Sequence, residues 1–480
     1  MNGRDEVTAN ELSDYLQNKF EMCDDFYIRQ VYHKGKELYL AAIANLCDKT
    51  YVSDNILRPL ALWNGEVTDL NSLYEAVTVS KLKNVGDEND AVSEILSGNA
   101  LVYTEFGGIA TMVSATAKNE DGRSIQEPDS EIVVRGPRQG FVESGEVNVA
   151  LLRKIIASNE LKVEVYPIGG ITKTNLRVVY LDGIADKTAL DILRKRIAEI
   201  PLDSMLDSGY AEQYLQNGGY PFFPEVGNSE KPDKVAAKII EGRIAVVCDG
   251  SPAVLTVPYL FDESLQSSED YLKTPYYATL MRIIRFIGLM IALYLPSVYV
   301  AVLENHMGMM PKKLFDSITE SRSDIPFGVF TELIVILLIF ELIREVGIRM
   351  PKAVGDAVSI VGGIILGDAA IKAGIASEPV IIVAALTAIS NFINPPFMNN
   401  TVLIRLSNLV AAKFLGLFGV AASVILLFTV LSAKDSFGTP YMYPFAPTTW
   451  RGLSDSVILM PKKALMHSTS ELRNTKEGEG

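Results

Sequence analysis

Four small residues recur at intervals of four late in the chain: Gly355, Ser359, Gly363 and Gly367. Successive i+4 positions share one face of a helix. Small residues on such a face let helix backbones approach closely in lipid, and they equally suit a helix that lines a narrow pore. Gly362 widens the smooth face, and Val361 lies within the same stretch. Thr387, Ser390, Asn391 and Asn394 form a second stripe at helical spacing. A polar stripe in an apolar helix lines an aqueous path or hydrogen-bonds to neighbouring helices. Pro395-Pro396 closes that stripe and must break or kink the helix. Four carboxylates interrupt apolar runs: Glu332 and Glu341 in residues 327–343, Asp356 and Asp368 in residues 354–371. Charges at membrane depth are costly and normally face a bundle interior or a water-filled cavity. Glu341, Arg344 and Glu345 lie one turn apart and are placed to pair, as are Asp368 and Lys372. The chemistry these residues suit is the passage or pairing of ions inside a helical assembly.

Patterns for bond-making chemistry are absent. The chain contains no GxxxxGK[ST], GxSxG or HExxH, and its only histidines are His33, His306 and His467. No catalytic residue, metal site or cofactor is expected. Cys23, Cys47 and Cys248 lack CxxC spacing and read as reduced thiols. A net charge of −14 argues against a nucleic-acid partner, which needs a basic face. Arg135 and Arg138 flank a Gly-Pro turn, where they could hold an anion or pair with acidic groups between subdomains. Asp249-Gly250-Ser251-Pro252 is a turn signature.

The elements that must position these residues divide at about Thr274. Before it, short apolar runs alternate with charged segments; after it come long uncharged stretches. The chain of 480 residues is too long for one ordinary domain. Residues 1–117 read as a first soluble subdomain, with helical periodicity at 12–20 and 91–96 and strands at 38–44, 100–103 and 109–114. Polar residues 118–130 read as a linker. Residues 131–272 read as a second α/β subdomain, with helices at 147–156, 189–200 and 235–240 and strands at 162–166, 176–181, 244–247 and 253–257. Strands alternating with helices suggest a mixed α/β layer.

Residues 273–434 read as an α-helical multi-span membrane domain of four to five apolar segments, and 435–480 as a C-terminal tail. A spanning helix needs about 20 mostly apolar residues. Residues 286–303, 379–404 and 414–433 carry no charge and are expected to span; 327–343 and 354–371, with their carboxylates, are expected inside an assembly or as partial spans. The first residues lack an apolar signal-peptide core, and Lys273, Arg282 and Arg285 precede the first span, so the soluble region is expected in the cytoplasm. Five crossings would leave the C-terminus outside. A re-entrant segment would return it inside, where Lys434, Arg451, Lys462 and Lys463 fit better.

Several long stretches together resemble the GerA family of spore germination proteins, A-subunit type. They are VVRGPRQGFVES (133–144), SEKPDKVAAKIIEGRIAVVCDGSPAVLTVP (ending at Pro258), ELIREVGIRMP (341–351), VSIVGGIILGDAAIKAG (358–374) and DSFGTPYMYPFAP (435–447). They fall in the family's order, and the likeness is weakest before about Ala91. One departure is NPPFMNN at 394–400, where relatives more often carry a single proline and an aromatic. The resemblance implies a subunit of a nutrient germinant receptor, multi-pass in the spore inner membrane. Its partners would be a transporter-like B subunit, a C-type lipoprotein and further copies of itself, in a ring that conducts monovalent cations when nutrient binds. The segment around Val361-Gly362-Gly363 would fall in the channel-forming region. A paralogous spore membrane protein associated with dipicolinate release, or a secondary transporter with interrupted helices, are the alternatives.

Overall fold

The computed structural model describes residues 7–117, 128, 131, 136–218, 222–350, 367–453 and 455–461. The chain opens with helix α1 (Ala9–Lys19), started by a capping box in which Glu11 N–H donates to Thr8 Oγ1 and Thr8 N–H donates to Glu11. Strands β1 (Phe26–His33) and β2 (Lys36–Ile43) turn through Lys34-Gly35, both at positive φ, as a two-residue hairpin with right-handed strand twist requires. Strand β3 (Leu82–Val85) and helix α2 (Glu88–Leu96) follow, then β4 (Asn99–Phe106) and β5 (Ile109–Thr116). The five strands pair in the order β1-β2-β4-β5-β3, antiparallel throughout.

Both faces of this sheet are covered, which explains the continuous buried runs of its inner strands β2 and β4. Tyr39, Ala41 and Ile43 of β2 pack with Leu12, Leu16, Ala91 and Ile95 of α1 and α2. Leu38, Leu40 and Ala42 face the opposite way, onto Val52, Ile56, Leu60 and Leu73 from the short helical turns of residues 49–76.

A second sheet repeats this plan. Its elements are α3 (Gly145–Ile155), β6 (Leu161–Ile168), β7 (Thr174–Leu181), α4 (Lys187–Ala198), α5 (Ser208–Leu215), β8 (Gly227–Ser229), α6 (Pro232–Ile240), β9 (Ile244–Cys248) and β10 (Val254–Val257). The order is β6-β7-β9-β10-β8, again antiparallel. Helices α3 and α6 cover one face through Val149, Leu152, Val235 and Ile239; α4 and α5 cover the other through Ala189, Leu193, Ile197 and Ala211.

The two sheets are joined by a segment that sequence periodicity does not mark. Residues 22–25 lie along the outer edge of β6: Val163 N–H donates to Met22 O, Asp24 N–H to Val163 O, and Val165 N–H to the Asp24 carboxylate. Beside them Arg153 of α3 grips Asp25 through two hydrogen bonds of 2.6 and 2.7 Å, with side chains only 1% and 4% exposed.

Beyond Thr274 the structure is helical: α7 (Pro275–Asn305), α8 (Lys312–Ser321), α9 (Val329–Arg349), α10 (Glu378–Phe392), α11 (Met398–Leu415) and α12 (Leu417–Ala433). Among the described residues, α7 alone is a single helix long and apolar enough to cross a membrane. The apolar stretch over 379–404 is interrupted where its prolines fall: α10 and the helical run Pro395–Leu415 meet at a bend of 110°, because Pro395 and Pro396 cannot continue the ladder of α10. Helix α12 is apolar but only 17 residues long.

Where α7 meets the head, charge is concentrated and dry. Asp270 is fully buried and accepts from Arg285 at 2.6 and 2.9 Å, with Arg282 at 3.4 Å. Glu263 pairs with both Lys238 and Arg243. Among the described residues, its neighbour Asp262 has no cation in contact and one carboxylate oxygen enclosed without a partner. Burial, with Glu263 and Asp455 close by, pushes the Asp262 carboxyl up to about 7 against the opposing pull of Arg243 and Arg282.

Two outcomes are expected. Arg153→Met, which strands the Asp25 carboxylate away from water, lowers the stability of the full chain in detergent by about 3–5 kcal/mol in denaturant melts; converting both partners to apolar residues restores most of it. Below pH about 7 the fold holds Asp262 protonated, whereas in the unfolded chain it ionises at about 4. Its contribution to stability is therefore present at low pH and lost as pH rises through about 7. Melts from pH 4 to 8 should show Asp262→Asn gaining stability relative to the parent as pH increases.

Candidate functional site

The helical region encloses three layers of charged and polar side chains, ordered along α7 from its far end to the head. The far layer forms where α7 ends, α9 begins and α11 ends. Glu304 of α7 accepts from Phe330 N–H at 3.1 Å and pairs with Lys413 of α11 at 2.7 Å. One turn into α9, Glu332 is completely enclosed; it accepts from Ser377 N–H and Oγ at 2.5 and 2.6 Å and pairs with Arg322 at 2.8 Å. This ties α9 to the start of α10 and to the α8–α9 connection.

The middle layer centres on Arg405 of α11, which is 2% exposed. It donates to Glu341 of α9 at 2.6 Å, and Glu341 also holds Arg344 at 2.8 Å. Two cations share one carboxylate in an apolar setting, so the group carries a net positive charge. Asn408 of α11 donates to Leu293 O of α7 nearby. Tyr294 and Ser297 of α7 are buried with hydroxyls that meet no hydrogen-bonding partner among the described residues.

The layer nearest the head is built from amides. Asn391 accepts from Thr401 Oγ1 at 2.5 Å and donates to Met398 O, closing the bend between α10 and α11. Asn394 donates to Arg285 O of α7 at 2.9 Å. Gly288 lets α7 come close there: a Cβ on it would lie 2.9 Å from Ile393 Cδ1, the end of a flexible side chain.

The polar stripe of α10 is thus wholly inward. Thr387 is fully buried, and Ser390, Asn391 and Asn394 are nearly so. The hydrogen bonds seen from Asn391 and Asn394 go to neighbouring helices and to the bend. Glu332, Glu341 and Arg344 take part in the layers above. Glu345 instead pairs with Arg349. Asp368 sits apart, exposed and paired with Lys372 at 2.6 Å. Gly367 has room for a methyl group, 3.8 Å from Ile381. Gly355, Ser359, Val361, Gly362 and Gly363 lie outside the described residues, as does Arg135. Arg138 is exposed on the loop that leads into α3. Sequence reasoning did not single out Arg405, Arg322 or Asn408. The signal for Arg405 was available: it is the lone charge between Glu378 and Lys413, and a charge so placed needs a partner.

Comparison with known proteins bears on what such an assembly is. Residues 14–470 match the family described as Bacillus/Clostridium GerA spore germination protein. The chain is 34% identical over 467 residues to a Bacillus subtilis (strain 168) protein named uncharacterized membrane protein YfkQ, covering 95% of this chain and 90% of that one. It is 36% identical over 425 residues to spore germination protein KA of the same organism, covering 87% of this chain and 78% of that one. Spore germination protein B1, also from Bacillus subtilis (strain 168), is 31% identical over 459 residues, covering 93% and 94%. Among solved structures, the N-terminal domain of the A subunit of the Bacillus megaterium spore germinant receptor GerK3 is 28% identical, with a TM-score of 0.41, covering 53% of this chain and 96% of that one. With a match over residues 14–470, through both sheets and the helical region, the chain belongs to the GerA family of spore germination proteins.

Proposed function

We propose that this protein is the A subunit of a spore germinant receptor, and that its copies assemble into a ring whose helices enclose a path for monovalent cations, opened when nutrient binds the receptor. The observation that carries the reading is the inward polarity of the helical region. Glu332 and Arg405 are buried and paired between helices that are otherwise apolar. A lone membrane anchor has no use for such groups, whereas an assembly with an interior does. In this reading the apolar outer sides of α10 and α12, with Ile382, Ile389, Phe418 and Ile425 exposed, face lipid or neighbouring copies. A transporter-like B subunit and a C-type lipoprotein are the partners, and the spore inner membrane is the site. The head, residues 1–272, lies in the cytoplasm, and Arg138 meets an anion or an acidic group of a neighbouring subdomain. The segment with Gly355, Ser359, Val361, Gly362, Gly363 and Gly367 packs against its own copies around the path.

A second reading draws on the 110° bend between α10 and α11, since discontinuous helices also build the substrate sites of secondary transporters. The two separate on kinetics: a transporter saturates with substrate and turns over slowly, whereas a channel conducts in proportion to the gradient.

The deciding experiment is purification of the full chain with its B- and C-type partners, determination of the oligomer in detergent, and potassium flux from liposomes on addition of a mixture of L-amino acids and sugars. An oligomer with rapid flux is expected, and Gly363→Trp should change the leak or abolish the response. A non-conducting monomer in the presence of both partners would sink the channel reading.

A further inference from the structure

The far end of α7 carries a surface that the interior layers leave unused. Residues 286–303 contain no charge. At about 1.5 Å per residue they cover about 27 Å, close to the hydrocarbon thickness of a bilayer. Charge resumes at Glu304, which in the spanning reading marks the hydrocarbon boundary farther from the head. Three segments meet at this level. Glu304 pairs with Lys413 near the end of α11 and accepts from Phe330 N–H at the start of α9. The turn between α11 and α12 lies against the same end of α7. Gly416, at φ +59°, is so close that a Cβ on it would fall 2.6 Å from His306 Cε1. The connection 306–328 therefore leaves and rejoins the helices at one level, and α8 lies within it.

Only part of the apolar face of α8 is covered. Ile318 packs with Val300 and Leu303 of α7 and Val329 of α9. Leu314, one turn earlier on that face, is exposed, as are Met307 and, at 68%, Met309. Phe414 and Leu415 in the neighbouring turn are 78% and 60% exposed. They lead directly into α12, so the patch continues the apolar outer surface of the helical region. Directly before Leu314 stand Lys312 and Lys313, both exposed and without an acidic partner among the described residues. Asp316 and Glu320 lie on the opposite side of α8 from Leu314. Lysines beside exposed apolar side chains, on a helix placed where a span ends, form the pattern of a helix lying in a membrane surface. The flexible lysine stems let the ammonium groups reach the headgroups while the apolar neighbours sink below them.

We propose that Met307, Met309, Leu314, Phe414 and Leu415 form a rim immersed in the interface of the leaflet farther from the head, with Lys312 and Lys313 binding the phosphate groups of anionic lipids. The proposal rests on the membrane-spanning reading above and adds to it a lipid preference confined to one leaflet.

Fluorophore depth in vesicles tests this on the full chain. The three native cysteines are buried, so a surface thiol takes a bimane label selectively. Single labels are placed through Met309→Cys, Leu314→Cys, Phe414→Cys, Asp316→Cys and, in the middle of α12, Ile425→Cys. The vesicles are phosphatidylcholine with or without phosphatidylglycerol. Lipids brominated on their acyl chains should quench positions 309, 314 and 414 about threefold more than aqueous iodide does, and position 316 should show the reverse preference. Lys312→Glu with Lys313→Glu should weaken lipid quenching at 309 and 314 in phosphatidylglycerol vesicles, leave it unchanged in pure phosphatidylcholine, and spare 414 in both. Iodide reaching 309 and 314 as readily as 316 would overturn the rim, as would shielding of both from either quencher, which means that protein covers them. A lysine effect of equal size in both vesicles would overturn the anionic-lipid assignment. Position 425 separates these failures from failure of the underlying reading: lipid quenching there with an iodide-accessible 309 and 314 sinks the rim alone, whereas iodide reaching 425 sinks the spanning reading itself.

Discussion

A charge taken out of water must find its opposite, and most of this protein's long-range architecture follows from that requirement. Arg153 and Asp25 are far apart in sequence and buried together, and where they meet the two sheets are fixed. Asp270 is enclosed where the head hands over to α7, and it needs both Arg282 and Arg285 to be there. Glu332 and Arg405 impose the same condition on the helical region: α9 must lie beside the start of α10 and beside the middle of α11. None of these pairs is strong evidence of net stability, because desolvation consumes much of the attraction. Their effect is on specificity. An arrangement of helices that separated any pair would leave a bare charge in an apolar setting, so few alternative packings compete.

Local structure was legible where periodicity and turn chemistry agree. The strands at 38–44, 109–114, 176–181 and 244–247 stand out as apolar runs bounded by glycine, aspartate or charge, and each is a strand in the fold. Strand β1 escaped because Arg29, Gln30 and Tyr32 face solvent on a sheet edge, which leaves little apolar signal. Strand pairing was not legible either. Alternation of strand and helix suggested α/β layers, which both sheets form, but not that every strand pair is antiparallel, since pairing depends on contacts between residues distant in the chain. For the helical region, composition marked where helices occur but not their direction. Pro395-Pro396 announced a break; at its 110° angle Asn391 bonds across the bend to Thr401 and Met398 O, and Asn394 bonds to Arg285 O of α7.

The inward stripe on α10 illustrates how far residue type can go. Thr387, Ser390, Asn391 and Asn394 carried two meanings in the sequence, an aqueous lining or a set of interhelical bonds. Asn391 and Asn394 spend hydrogen bonds on protein partners in this conformation, which favours the second meaning for those two. The meanings are compatible over time. Amides bonded to a neighbouring helix in one state become available to water when that helix moves, and only the energetic cost of exchange separates the two. Net hydrogen bonds of this kind contribute about 0.5–1.5 kcal/mol each, well within what a bound ligand can redistribute.

That cost weighs differently on different parts of the helical region. A region held by apolar packing alone resists being pulled apart, because each buried methylene opposes exposure; a region held by exchangeable polar links can trade partners at small net cost. The junction of α7, α12 and the head combines a continuous apolar cluster with the doubly paired Asp270, so displacement there exposes both hydrocarbon and charge. Helices α9 and α10 also share an apolar cluster with Val300 and Leu303 of α7 and Leu409 of α11, to which amides and the shared carboxylate Glu341 add polar links. Glu341 serves two arginines, so it would keep Arg344 if Arg405 left, but Arg405 itself, 2% exposed, would be left as a bare buried cation. The shared carboxylate therefore holds α9 and α11 in register, and parting them needs water or another acidic group at Arg405.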